Sequence, residues 1–129
     1  SLNITRENPY VLNYLAYSWL ERNYKIELSM EMLKEAYDLR KNDPYITDSL
    51  GWGYYLINDF ENAEKYLKKA VELMPYDPIV NDHYGDILWM LNRKIQARYF
   101  WNNVLNLDET DDEMKIDVKK KIIYGIEKT

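Results

Sequence analysis

The sequence predicts an all-α fold, a solenoid of three helix-turn-helix units closed by one further helix. Three observations carry this expectation. Asx-Pro pairs at Asn8-Pro9, Asp43-Pro44 and Asp77-Pro78 recur at separations of 35 and 34 residues, and a repeat of that length is one supersecondary unit that must stack on its neighbours to bury its apolar face. Small and large apolar residues follow each proline at helical spacing. The 129 residues are 47% hydrophobic and 30% charged with only 4 Gly and 4 Pro, which favours a helix-rich globular domain over disorder.

Each unit opens on the same chemistry. The Asx oxygen caps free N–H groups and proline suits the first helical turn. Counting the proline as position 1, the first helices carry Leu15, Leu50 and Tyr84 at position 7, Ala16, Gly51 and Gly85 at position 8, and Trp19, Tyr54 and Leu88 at position 11. The second helices carry Ser29, Ala63 and Ala97 at position 20, Leu33, Leu67 and Trp101 at position 24, and Ala36, Ala70 and Val104 at position 27. One residue inserted within Tyr24 to Leu28 accounts for the longer first spacing. The stretch "DSLGWGYYL" sets two glycines inside a helix, each costing about 1 kcal/mol relative to alanine. Position 8 explains Gly51 and Gly85 as the closest crossing of a unit's two helices, whereas Gly53, at position 10, has no such explanation in the sequence.

This spacing resembles the tetratricopeptide repeat, in which Leu at position 7, Gly or Ala at 8, an aromatic at 11, Ala at 20 and 27 and Pro at 32 recur together. The unit from Pro44 to Asp77, with Pro75 at position 32, fits best, and the resemblance covers about Pro9 to Asp111. Departures are Leu12, Thr47 and Asn81 at position 4, where the family favours Trp, Lys41 and Glu109 at position 32 of the outer units, and Val104 at position 27. The resemblance implies a right-handed superhelix with units at 9–43, 44–77 and 78–111, all in a single domain. Residues 112–129 read as a capping helix, with Val118 and Ile122 on its apolar side and Lys119, Lys120 and Lys121 making the other face polar. Ile4 precedes Pro9 as Leu39 precedes Pro44, so residues 1–8 read as the end of a preceding repeat and the chain as the C-terminal part of a longer array.

In such repeats positions 2, 5, 9 and 12 of the first helices face the concave groove. By that resemblance the groove residues are Tyr10, Asn13, Tyr17 and Leu20, then Tyr45, Asp48, Trp52 and Tyr55, then Ile79, Asp82, Asp86 and Trp89. Large rings with few rotamers dominate binding energy at interfaces. The expected partner is a protein or peptide segment carrying Lys or Arg among apolar residues, drawn by Asp48, Asp82 and Asp86. The expected role is a non-catalytic interaction scaffold. A structural or self-associating module, forming a homo-oligomer, is the second reading. Co-chaperone repeats that grip a C-terminal carboxylate need a Lys, Asn and Arg clamp; Asn13, Tyr17, Ser49, Ile79 and His83 stand at those positions here.

Other classes are disfavoured. Seventeen Lys and Arg against 22 Asp and Glu give a net charge of -5 with no basic stripe, which argues against nucleic acid. Cysteine is absent, removing thiol nucleophiles and cysteine metal sites. No apolar run approaches the roughly 20 residues of a membrane span. Ser49 and His83 on successive units stand about 10 Å apart for packed helices, too far for a nucleophile and its base. No catalytic residue, cofactor or metal is expected. The stretches "DSLGW" and "NDHYGD" resemble repeat proteins of bacteria, but neither cytoplasm nor periplasm follows from them.

Overall fold

A computed structural model describes residues 8–127. They form seven helices: α1 Pro9–Glu21, α2 Ile26–Leu39, α3 Pro44–Leu56, α4 Phe60–Leu73, α5 Pro78–Met90, α6 Lys94–Asn106 and α7 Asp112–Tyr124. No strand occurs among the described residues. The expected last turn of a preceding repeat lies, apart from Asn8, outside them.

Local chemistry starts and stops each helix. Asn8, Asp43 and Asp77 hold extended backbone, and their side chains accept hydrogen bonds from the first-turn N–H groups of α1, α3 and α5. Each such cap contributes about 1 kcal/mol. Every turn between the two helices of a unit carries an asparagine in the left-handed region, Asn23, Asn58 and Asn92, with φ of 55°, 65° and 63°. Asparagine tolerates that region better than other residues bearing a Cβ. The N–H groups of these asparagines donate to the carbonyls of Leu20, Tyr55 and Trp89, closing the three turns alike. The inserted residue of the first unit falls in the same turn, where Lys25 is also left-handed at φ 45°. The insertion is thus absorbed before α2 begins.

The most extensive contacts are within the pairs α1/α2, α3/α4 and α5/α6, followed by those between consecutive pairs and between α6 and α7. First helices also touch one another, α1 with α3 and α3 with α5, so they build one continuous wall. Leu33, Leu67 and Trp101, all at position 24, are fully buried, as are Ala36, Ala70 and Val104. Tyr54 packs against both halves of the core. A Cβ on Gly51 would lie 2.9 Å from the Leu67 backbone nitrogen, and one on Gly85 would lie 2.5 Å from the Trp101 ring. Contact between the helices of a unit therefore offsets the propensity cost of these two glycines. Gly53 has an inter-unit reason: a Cβ there would meet Leu33 at 2.8 Å and Met30 at 2.9 Å, both on the second helix of the preceding unit.

At position 4 the polar departures from the family pattern hold the entry loops. Thr47 donates to the Asp43 carbonyl at 2.7 Å, and the Asn81 amide donates to the carbonyls of Pro75 and Asp77 at 3.0 and 2.8 Å. At the far end, Val118 of α7 is fully buried and Ile122 packs on the same core. No helix among the described residues is long and apolar enough to cross a membrane.

Candidate functional site

The twelve positions expected to face the groove lie on the first helices and differ in exposure. Tyr10, Tyr45 and Ile79, at position 2, are 53%, 58% and 50% exposed and form an outer row. Asn13, Tyr17, Trp52, Tyr55, Asp82 and Trp89 are half-buried, while Leu20, Asp48 and Asp86 are buried. The Asn13 Oδ1 is covered and has no hydrogen-bond partner among the described residues.

At the centre, three rings stack across two units. Trp52 lies 4.4 Å from Tyr55 at an interplanar angle of 8°, and 3.9 Å from His83 at 10°. Trp52 and Tyr55 are three residues apart on α3 and so share a face, while His83 comes from α5. Asp48, one turn before Trp52, accepts from His83 Nδ1 at 2.9 and 3.1 Å with its two oxygens. Burial pushes the His83 pKa down, but the charge and hydrogen bond of Asp48, helped by Asp86 and Asp82, outweigh it and hold the imidazole above its ordinary value. The imidazolium is thereby favoured against the indole face. Burial, then Glu21 and Asp48, raises the Tyr17 phenol; burial, then Asp86 and Asp82, raises that of Tyr55. Both phenols remain neutral donors at physiological pH.

A second cluster joins the third unit to α7. Lys121 Nζ contacts Asp82 at 2.7 Å and Asp86 at 2.8 Å, and Asp86 also accepts from Trp101 Nε1 at 3.1 Å. Burial and then the neighbouring Asp82 push the Asp86 carboxyl up to about 6, against the opposing pull of Lys121. Burial lowers the Lys121 pKa, but Asp86 and Asp82 outweigh it and raise it.

These pairs correct the expectation of a freely acidic groove. Asp48 is matched by His83, whose protonated form it favours, and Asp82 and Asp86 share Lys121, so each of the three carboxylates already has a basic partner in the same chain. Only a small net negative charge remains. Trp89 also differs from a bare groove residue, because the chain passes over its ring at Gly125 and its Nε1 donates to the Ile126 carbonyl at 3.2 Å. Lys94 and Arg98 flank the same ring, each 5.0 Å from its centroid. The two cations that matter, His83 and Lys121, were not among the expected groove residues. For His83 a signal existed: positions 5 and 6 of successive units adjoin, which sets Asp48 beside it.

With this geometry in view, the likeness to known proteins falls into place. No family model matches the chain. A 61-residue stretch, 47% of this chain, is 34% identical to a TPR repeat-containing protein of Pseudomonas aeruginosa, and spans 10% of that protein's length. A thermophilic TPR protein of Thermus thermophilus superposes with a TM-score of 0.79 at 17% identity, covering 95% of this chain and 68% of that one. The type III secretion translocator chaperone SycD of Yersinia enterocolitica gives a TM-score of 0.76 at 16% identity, over 92% of this chain and 89% of that one. The first TPR of Spaghetti (RPAP3), bound to an HSP90 peptide, gives 0.74 at 18% identity, over 88% of this chain and 90% of that one. The chain has the all-α solenoid fold of these tetratricopeptide-repeat structures.

Proposed function

We propose that the chain is a non-catalytic scaffold that holds a peptide or protein segment in the concave groove of α1, α3 and α5. The observation that carries this reading is the ring stack Tyr55–Trp52–His83 on the same first helices as the exposed Tyr10, Tyr45 and Ile79. Core positions are already filled by Leu33, Leu67, Trp101 and their partners, so the outer row is apolar surface beyond what the fold needs. The segment that fits is mainly apolar, with a single Lys or Arg to meet the small negative excess of Asp48, Asp82 and Asp86. That the first TPR of RPAP3, a repeat array of like fold, is bound to an HSP90 peptide supports a peptide-binding reading. A carboxylate clamp of the co-chaperone kind is not part of the proposal, because Ile79 stands where a cation would be required and the His83 imidazole is already engaged by Asp48.

Trp52→Ala combined with Tyr45→Ala should leave far-UV circular dichroism within a few per cent of wild type while reducing partner capture by more than about tenfold, as loss of central aromatic anchors does. Capture is measured by affinity purification with quantitative mass spectrometry against the wild-type chain. Undiminished capture by a folded double variant would overturn the reading.

A further inference from the structure

After Tyr124 the chain does not leave the solenoid. Gly125 turns it with φ 72° and ψ -163°, a conformation open in practice to glycine alone, and its N–H donates to the Lys121 carbonyl at 2.7 Å. A Cβ on Gly125 would lie 2.0 Å from the Trp89 ring, so the backbone packs directly against the indole. The next residue offers its carbonyl to Trp89 Nε1. The Ile126 side chain packs against the core beside a cavity of about 200 Å³ bounded by Tyr55, Leu56, Phe60 and Met90. Those residues lie at the C-terminal ends of α3 and α5 and the start of α4, and Tyr55 is the outer ring of the central stack.

Sealing the end of the array does not require this segment, since Val118, Ile122 and Lys121 of α7 already cover the third unit. What residues 125–127 do is what a bound extended peptide does. They pair a carbonyl with a fixed indole N–H, pack a glycine against an aromatic ring and set an aliphatic side chain at the mouth of an apolar cavity. We propose that Trp89, Tyr55, Phe60 and Met90 form a peptide subsite for a glycine followed by a branched aliphatic residue, occupied in cis by residues 125–127 and taken by an incoming segment of the same chemistry when they leave. The inference rests on the groove reading and names the sequence chemistry that one end of the groove selects. Glycine is required because any side chain collides with the indole; a branched aliphatic residue is favoured because, apart from the phenol of Tyr55 and the side chain of Asn58, the cavity walls that do not belong to the segment itself are apolar, Glu127 being part of the segment. The tethered segment competes at an effective concentration in the millimolar range, so a free segment binds weakly until the tether is undone.

The test uses the full chain carrying Gly125→Ala, which displaces the segment while leaving α7 whole, and a second variant ending at Tyr124. The probe is the synthetic peptide Tyr-Gly-Ile-Glu-Lys-Thr, residues 124–129 of the sequence, with a control peptide in which Ala replaces Gly. The readout is the Trp89 indole N–H resonance, assigned through Trp89→Phe. In both variants that resonance should move away from its wild-type position and return as the glycine peptide is added; the alanine peptide should bind at least tenfold more weakly, and the wild-type chain should take up the glycine peptide at least tenfold more weakly than either variant. A Trp89 resonance unmoved by the peptide in both variants, or equal binding of the two peptides, overturns the proposal. Because capture through Trp52 and Tyr45 is measured separately, failure at this subsite is distinguishable from failure of the groove as a whole.

Discussion

Trp101→Ala should destabilise the chain by about 3–5 kcal/mol, the range for deleting a fully buried large side chain. Trp101 is 0% exposed, its ring fills the space Gly85 leaves open, and it packs 5.6 Å from Trp89. Its Nε1 is also a hydrogen-bond donor to Asp86. Truncation therefore opens a cavity between α5 and α6 and removes a donor from a buried carboxylate. Against a typical stability of about 5–15 kcal/mol this is a large fraction. Urea denaturation followed by circular dichroism should show it, together with a fall in Tm of more than about 10 °C. Trp101→Phe keeps most of the ring and should lose less than half as much. Equal losses from the two substitutions would place the energy in the hydrogen bond and contradict the packing argument.

Lys121→Met should cost about 3–5 kcal/mol at pH 8, because breaking a buried ion pair strands the charge left behind. Here two carboxylates, Asp82 and Asp86, are stranded against each other. The sign of the pH dependence follows from Asp86, whose folded pKa is already raised to about 6 by burial and by Asp82, and rises further once Lys121 is gone. A carboxyl that binds its proton more tightly folded than unfolded makes the folded state relatively more stable as pH falls. The deficit of the variant relative to wild type should therefore shrink between pH 8 and pH 5. His83, whose pKa is also raised, acts with the same sign: it contributes stability present below about 6.5 and lost as pH rises through the folded value. Both proteins carry His83, so most of that contribution cancels in their difference, which reports chiefly on the carboxylates and on their coupling to His83. Urea midpoints of both at the two pH values measure it. Adding Asp86→Asn to Lys121→Met should recover part of the loss at pH 8; an unchanged deficit across pH with no recovery would contradict the account.

The features legible in the sequence are those that local chemistry dictates. Asx-Pro starts, small residues at position 8 and large ones at position 24 are visible because each acts within one helix pair, and the helices begin at Pro9, Pro44 and Pro78. The asparagines at 23, 58 and 92 were equally legible, recurring at position 15 of every unit, yet their left-handed backbone became evident only in the turns. Gly53 was opaque because its neighbours, Leu33 and Met30, belong to another unit. Groove charge was opaque for the same reason. Lys121 stands 39 residues from Asp82 and 35 from Asp86, and as one of three consecutive lysines it read as part of a solvated face. Residues 112–129 read as one capping helix, whereas α7 stops at Tyr124 with Gly125 as its C-cap, and nothing in the sequence reveals that the chain then crosses the Trp89 ring. Periodicity thus reveals how repeats stack; it says little about which side chains meet across them.

The central claim is that the inner wall of first helices, and not the outer surface, engages the partner. Site-specific photo-crosslinking tests it most directly, with a crosslinking amino acid placed singly at Tyr10, Tyr45 or Ile79 in the groove and at Tyr99 or Ile95 on α6, all of them exposed. After irradiation in the native cell extract, adducts to one common partner should form from the three groove positions and fall at least tenfold from the two α6 positions. Adducts concentrated at Tyr99 and Ile95, with none from the groove, would contradict it.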